Sequence, residues 1–237
     1  MDKGAHFYSC DFQVHTPRDR QWRGDRATTP AERRTYATEF VTACREKNIN
    51  AVAITDHHDL AFVPYIREAA RAERDERGDA LPLERQLVVF PGMELTLGIP
   101  CQALLIFDAN LPDDMFQLVK NVLAINQADD AEERTVDVQR TTDITSFAQL
   151  YQELDQHSFL RGRYMVLPNV SEGGASTLLR SGHSGHYKDM PCLGGYLDGP
   201  CSQLGTGNTN ILAGKDAQYG YKPLALFQTS DNRRVSF

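Results

Sequence analysis

The stretch CDFQVHT, residues 10–16, has the pattern of a strand that ends in polar side chains. Asp11, Gln13 and His15 alternate within it, and alternate residues of a strand point to the same face. Three polar side chains therefore line one face of the first predicted strand. In α/β barrels and open α/β sheets, functional residues lie where the strands end at their carboxyl edge. The residues that close the other strands are thus the next to consider.

Six short apolar runs are predicted as strands, and polar residues flank most of them. The runs are Cys10–Val14, Ile49–Thr55, Leu87–Phe90, Ala103–Phe107, Tyr164–Leu167 and Leu224–Gln228. Because most lack strict alternation, we expect both faces to be covered, as in a parallel sheet. The polar residues at or next to their ends include Asp56, His57, Glu94, Gln102, Asn169, Asp231 and Arg233.

Helical patterns lie between several of these runs, which predicts an α/β fold. The clearest helix begins at Thr29-Pro30-Ala31-Glu32. Thr29 can cap it, Pro30 suits its first position, and Glu32 completes a capping box. Apolar spacing predicts three further helices, around Phe62–Ala70, Met115–Leu123 and Phe147–Leu154.

Two stretches interrupt the alternation of strands and helices. Residues 126–143 are polar and acidic and are predicted as a surface loop. Residues 171–221 hold 11 of the 17 glycines, and we expect a Gly-rich excursion that covers the pocket, with no clear helix after the glycines at 205 and 207. The chain stops soon after a predicted strand. We therefore expect residues 1–237 to be a single domain at the N-terminal end of a longer protein.

Composition excludes several classes of protein. The chain has 237 residues, 41% of them hydrophobic, and a net charge of −7, which argues against disorder and against a general nucleic-acid coat. No run approaches the roughly 18 apolar residues of a membrane helix, and the N-terminus has no signal-peptide pattern. Five widely spaced cysteines favour reduced thiols in the cytoplasm.

The polar strand ends indicate metal chemistry. His, Asp and Glu are ligands for divalent metals, and one or two such ions can activate water and bind a phosphoryl group. Each fragment alone is a weak signal. Their succession at five strand ends, in chain order, is a stronger one.

The successive motifs resemble those of the PHP family (polymerase and histidinol phosphatase). They are DFQVHTP at 11–17, ITDH at 54–57, PGME at 91–94, LPNVS at 167–171 and TSD at 229–231. The resemblance covers essentially the whole chain and implies a distorted (β/α)7 barrel with metals at the strand ends. Family members include phosphoesterases and exonucleases. This variant resembles domains fused to SMC-like or AAA-type ATPases in bacterial and anti-phage defence proteins.

Four positions depart from the family pattern. Gln13, Gln102, Asn169 and Arg233 stand where the family commonly has histidine. The resemblance then leaves His15, His57, Glu94 and Asp231 as ligands, supported by Asp11 or Asp56, with Asp19 or Asp25 in the early loop. One or two divalent ions (Mn, Zn or Fe) are expected, or none.

The same resemblance assigns roles around the metal. His57 and Asp56 would act in catalysis, Asp56 by orienting a ligand or as a base. Arg233 would bind phosphate. Gln13, Gln102 and Asn169 would contact substrate. The segment 18–34 contains six arginines and Trp22, so Arg18 and Arg23 would hold phosphate near a stacked base, although a solvated loop is an equally simple interpretation.

Two functions of different class follow. The first is a metal-dependent phosphoesterase or nuclease that acts on nucleic acid or nucleotides. The second is a catalytically degenerate domain that binds nucleotide or nucleic acid, or regulates an attached ATPase. A serine or cysteine hydrolase has little support, because no Gly-x-Ser-x-Gly elbow is present. We expect no membrane partner, and a homo-oligomer is compatible with either function.

Overall fold

The computed structural model describes residues 7–99, 101–125 and 143–235. Strands and helices alternate within these residues, which confirms the mixed α/β class. The strands are β1 (Cys10–Val14), β2 (Ala51–Ile54), β3 (Val88–Thr96), β4 (Gln102–Phe107), β5 (Tyr164–Pro168), β6 (Gly194–Asp198) and β7 (Ala225–Thr229). The α-helices are α1 (Pro30–Glu46), α2 (Val63–Ala72), α3 (Phe116–Val122), α4 (Phe147–Asp155), α5 (Ser184–Asp189) and α6 (Thr206–Leu212).

The strands form two sheets that follow one another in chain order. The first five strands make one sheet in the order β1-β2-β3-β4-β5, and β6 and β7 form a parallel pair. Single bridges connect the sheets on both sides, between Asn169 and Tyr196 and between Val14 and Asn232. The larger sheet curls like half a barrel. The carboxyl ends of β1, β2, β3 and β7 meet as a result.

The expectation of a parallel sheet is wrong at β4, which runs antiparallel to both β3 and β5. Only residues 97–101 separate β3 from β4, whereas a parallel crossover needs about a dozen residues or more. The (β/α)7 arrangement implied by the resemblance is therefore met only in part. The reversal brings Gln102, the first residue of β4, beside Thr96 at the end of β3.

The Gly-rich segment 171–221 is not a structureless excursion, because it contains α5, β6 and α6. Gly194 and Gly195 lie in β6, where no side chain fits. A Cβ added at Gly194 would lie 2.8 Å from the Phe227 ring, and one added at Gly195 would lie 2.9 Å from Val170 Cγ1. Glycine within a strand marks this kind of close approach. High glycine content therefore concealed a strand.

Helix α1 forms as its sequence predicts. The Thr29 side chain accepts a hydrogen bond from the Glu32 backbone, and the Glu32 side chain accepts one from the Thr29 backbone, which completes the capping box. Pro30 occupies the first turn. The buried face of α1 contains the predicted apolar residues Tyr36, Ala37, Phe40, Val41 and Cys44.

The other three predicted helices are observed as α2, α3 and α4. The predicted surface loop at 126–143 lies outside the described residues, except for its last residue. No helix in the described ranges is both long and apolar enough to cross a membrane.

His58 joins the end of β2 to the end of β3. Its Nε2 accepts a hydrogen bond from the Thr96 backbone N–H at 3.0 Å, and the residue is buried. Burial, together with the neighbouring His57, lowers the pKa of His58 from 6.5 to about 4. The folded protein therefore favours a neutral imidazole here.

We expect the free energy of unfolding to decrease as the pH falls from 6.5 to 4. In this pH range the unfolded chain binds a proton at His58 and the folded protein does not. The stabilisation that neutral His58 gives to the folded state is therefore complete above the pKa of the unfolded chain and is lost as the pH falls below it. At about 1.4 kcal/mol per pKa unit, the loss is on the order of 3 kcal/mol. His58→Gln keeps an acceptor but does not titrate, so its pH slope in urea unfolding should be shallower. Equal slopes in the two proteins would contradict this assignment.

Candidate metal centre

Four residues predicted as ligands meet at the joined strand ends. His15 follows β1, and its backbone N–H donates to the Asn232 carbonyl at 3.0 Å, which places Asp231 beside it. His57 follows β2 and forms a bridge with Glu94 in β3. The structure thus brings together side chains from four strands.

Glu94 lies between the two histidines. Its Oε2 is 3.4 Å from His15 Nε2 and 3.4 Å from His57 Nε2. Asp231 Oδ1 is 3.2 Å from His15 Nε2. One ligand atom each from His15, His57 and Glu94 lie within 4.8 Å of one another. This spacing suits one ion with ligand bonds of about 2.0–2.2 Å.

A second group of ligands surrounds the other nitrogen of His15. Asp19 Oδ2 is 3.0 Å and Asp56 Oδ1 is 3.8 Å from His15 Nδ1. The same Asp19 oxygen is 3.8 Å from His57 Nε2. Of the two early-loop aspartates that the sequence offered, Asp19 therefore belongs to the cluster, whereas Asp25 is exposed.

Several of these ligand atoms are buried and have no hydrogen-bond partner within the described residues. They are His15 Nδ1 and Nε2, Asp19 Oδ2 and Glu94 Oε2. Such atoms are rare in folded proteins, and each costs about 1–3 kcal/mol. Imidazole nitrogens and carboxylate oxygens are ligands for divalent metals. The residues present therefore fit a divalent ion.

The electrostatics favour positive charge at the centre of the cluster. Burial alone would lower the pKa of His15, but Asp19, Asp231, Asp56 and Glu94 around it raise that pKa well above its usual range. Burial alone would raise the pKa of Glu94, but the adjacent imidazoles lower it. Glu94 therefore favours its ionised form, which stabilises a cation beside it.

Tyr196 in β6 is a site residue that sequence reasoning missed. Its hydroxyl donates to Glu94 Oε1 at 2.9 Å and accepts from Asn169 Nδ2 at 3.0 Å, and the side chain is fully buried. Because Tyr196 holds Oε1, the other oxygen of Glu94 faces the histidines. The sequence feature that could have identified this strand is the short apolar run Gly194–Leu197, which is followed directly by Asp198.

Arg233 also lies in the cluster. Its Nη1 pairs with Asp231 Oδ2, and its Nε is 3.5 Å from Asp19 Oδ1. Burial would raise the pKa of Asp231, but the close contact with the His15 imidazole and the charge of Arg233 lower it. The φ of Asp231 is 49°, in the left-handed region that Asp adopts more readily than most non-glycine residues.

No family model and no curated protein matches this sequence. The structure is similar to the lesion-specific endonuclease PfuEndoQ from Pyrococcus furiosus, with a TM-score of 0.58 and 11% identity over 97% of this chain and 49% of that chain. It is also similar to Endonuclease Q bound to a 27-mer duplex substrate with an abasic lesion at the active site. There the TM-score is 0.57, with 11% identity over 95% of this chain and 49% of that one.

The chain thus spans about half the length of these endonuclease structures. At this identity the likeness concerns the fold alone. It does not address the ATPase-linked variant.

Gln13 and Asn169, two of the residues that stand where the family commonly has histidine, form hydrogen bonds with other groups of the protein. Gln13 accepts from the Thr229 hydroxyl at 2.7 Å and donates to Asp231 Oδ1 at 3.2 Å. Asn169 donates to Asp198 Oδ2 at 3.2 Å as well as to the Tyr196 hydroxyl. Both amides were predicted to contact substrate, and the structure places both in the internal network instead.

Two of the predicted acids connect strand ends. Asp11 accepts hydrogen bonds from the hydroxyl and N–H of Ser230 and from the Gln13 N–H. Asp56 accepts from the N–H and hydroxyl of Thr16 at 2.8 and 2.6 Å. Asp11 belongs to neither ligand group found in the described part of the chain. Asp56 remains near the cluster behind His15.

The other predicted substrate contacts lie in different places. Arg18 is buried and paired with Asp59 at 2.5 Å, so its guanidinium is not presented to a substrate. Arg23 is exposed, and its backbone N–H donates to the Arg233 carbonyl at 3.1 Å. Gln102 is half-buried at the start of β4.

The arginine-rich loop serves partly to position Asp19. Arg26 donates to the carbonyl of Pro17 at 2.7 Å and to that of Asp19. Trp22 is buried against Tyr36, with ring centroids 5.5 Å apart. Its predicted role in base stacking is therefore wrong, because the ring packs in the core.

We expect Tyr196→Phe to weaken divalent-metal binding by about 10- to 100-fold, the usual effect of removing a group that orients a ligand. The loss of the hydroxyl frees Glu94 Oε1, so Oε2 is no longer held toward the histidines. Titration of the metal against a fluorescent chelator measures the change. The matched control is Tyr187→Phe, a fully buried tyrosine whose hydroxyl donates to the Lys222 carbonyl at 2.9 Å. Equal metal affinity in both variants would contradict the role of Tyr196.

Proposed function

We propose that this domain is a divalent-metal-dependent phosphoesterase of the nuclease type, acting on nucleic acid or nucleotide phosphoesters. The observation that carries the proposal is the set of buried ligand atoms around His15 without hydrogen-bond partners in the described ranges. His15, His57 and Glu94 would hold the ion, with Asp19 and Asp231 beside them. A bound divalent ion polarises a phosphate ester and lowers the pKa of a water molecule.

The surrounding residues orient these ligands. Asp19 and Asp56 lie at Nδ1 of His15, and a carboxylate in this position fixes the imidazole and raises its basicity. Tyr196 orients Glu94 in the same way. In this arrangement Asp56 acts by positioning His15 rather than by contacting substrate.

Substrate would approach from the side of Asp231 and Arg233. The side chains of Asp231 and Arg233 are 32% and 13% exposed, whereas that of His15 is fully buried. Arg233 would donate to phosphate oxygens, for which a guanidinium is well suited. His57, with a side chain 10% exposed, would be the histidine nearest the substrate.

A nucleic-acid substrate is supported by two observations. The backbone N–H of the exposed Arg23 donates to the Arg233 carbonyl, and the next residue after Arg233 is the exposed Arg234. Two exposed arginines therefore lie close to Arg233. The endonuclease of similar fold is seen with duplex DNA at its active site. Its lesion specificity is not part of the proposal, since this chain spans about half its length.

The wider setting of the domain rests on the sequence. A distorted (β/α)7 barrel forming one domain, an SMC-like or AAA-type ATPase partner, a defence role and an oligomer are proposed from the family resemblance. All five cysteines are free thiols, which supports a cytoplasmic location.

A second function has an observation of its own. Gln13 and Asn169 are bonded to protein partners, and Arg233 places a cation beside the metal ligands. These features favour a degenerate domain that binds nucleotide or nucleic acid without hydrolysis. The two functions differ in whether the domain retains a metal and turns over substrate.

The first experiment compares metal content and hydrolysis in the wild type, Glu94→Gln and Glu84→Gln. Each protein is loaded with manganese, zinc or iron, desalted, analysed for metal, and incubated with labelled DNA and a phosphodiester dye substrate. Glu94→Gln should lose metal and activity, because the amide is a weaker, neutral ligand. Glu84→Gln, at an exposed site, should match the wild type.

The outcomes separate the two functions. Metal and hydrolysis that both disappear in Glu94→Gln support the phosphoesterase. Retained metal without turnover of any tested phosphoester, or no metal in the wild type, would reject it in favour of the binding module.

We expect Arg23→Glu to weaken binding of a short DNA duplex and to reduce the dependence of log K on log salt by about one, because one phosphate contact is lost. Fluorescence anisotropy at several salt concentrations measures both. Arg161→Glu is the matched control, since this exposed arginine precedes β5 at the opposite end of the sheet. Equal effects of the two reversals would show that the binding is not directed to the site.

A further inference from the structure

Arg233 is held firmly at the edge of the metal ligands. The backbone on both sides is fixed, since the Asn232 carbonyl accepts from the His15 N–H at 3.0 Å and the Arg233 carbonyl accepts from the Arg23 N–H at 3.1 Å. The guanidinium pairs with Asp231 and lies near Asp19. It is therefore a fixed charge rather than a mobile surface side chain.

Asp19 and Asp231 each contact His15 through one carboxylate oxygen and Arg233 through the other. Asp19 places Oδ2 3.0 Å from His15 Nδ1 and Oδ1 3.5 Å from Arg233 Nε. Asp231 places Oδ1 3.2 Å from His15 Nε2 and Oδ2 against Arg233 Nη1. The inner oxygens thus face the ligand cluster, and the outer oxygens face a permanent cation.

This division limits the number of ions. Two-metal sites place ions about 3.5–4 Å apart, so a second ion on the outer side of this cluster would need the outer oxygens of Asp19 and Asp231 as ligands. Here the outer oxygens of both acids face a guanidinium that cannot lose its proton. A second divalent ion would have to displace Arg233 from both carboxylates against the repulsion between like charges.

We propose that the Arg233 guanidinium takes the place of a second metal ion, so that the site binds one divalent ion per chain. This inference rests on the proposed metal-dependent function. It makes Arg233 a residue that sets the metal stoichiometry, and its charge is supplied by the chain itself whatever the metal concentration.

The test is the number of ions bound at saturation, measured by elemental analysis after equilibrium dialysis against manganese. The wild type should bind one ion per chain. Arg233→His replaces the cation with a neutral ligand and should bind two. Arg233→Lys keeps the charge and should bind one, as should Arg234→His, which makes the same exchange at the neighbouring exposed arginine.

Electron paramagnetic resonance of the manganese-loaded wild type gives a second readout that needs no variant. Isolated ions should give the hyperfine pattern of uncoupled Mn²⁺. Two ions in the wild type, a spin-coupled pair, or a single ion in a folded Arg233→His protein would overturn the inference while the metal-dependent function stands. No metal in either the wild type or Arg233→His would reject both.

Discussion

The negative charge buried around His15 is the constraint on which the site depends. Four carboxylates approach its two ring nitrogens at 3.0–3.8 Å. Like charges about 4 Å apart repel by about 4 kcal/mol even at an effective dielectric constant near 20. Such a group of acids is stable only around a cation. A protonated His15, favoured by its raised pKa, can supply that charge, and a divalent ion would replace the proton.

The two-sheet arrangement explains how these acids come together. The β1–β3 sheet supplies both histidines and Glu94, while β7 leads into Asp231 and β6 supplies Tyr196. The bridge between Val14 and Asn232 joins the two sets. The first sheet alone would lack both Asp231 and Tyr196, the residue that orients Glu94. The site is therefore a property of the closed arrangement of strands.

Much of this arrangement could be predicted from residue patterns. His15, Glu94 and the cap of α1 follow from strand ends and the capping box, because those signals are local. The antiparallel β4 could not be predicted from its apolar run, which is compatible with either direction. Asp19 required the fold of the arginine loop, which depends on hydrogen bonds from the Arg26 side chain to carbonyls earlier in the same loop. Tyr196 was hidden because glycines that permit close packing resemble glycines of a loop.

Three of the four positions that depart from the family pattern share a chemical role. Gln13 donates to Asp231, Asn169 donates to Asp198, and Arg233 pairs with Asp231. Three of the four substituted side chains therefore donate to a carboxylate, Gln102 being the one for which the described residues show no such contact. Random loss of metal ligands would leave buried acids without partners, which is costly. At Gln13, Asn169 and Arg233 a protein donor instead stabilises the neighbouring carboxylate, as the proposed site with a single ion requires.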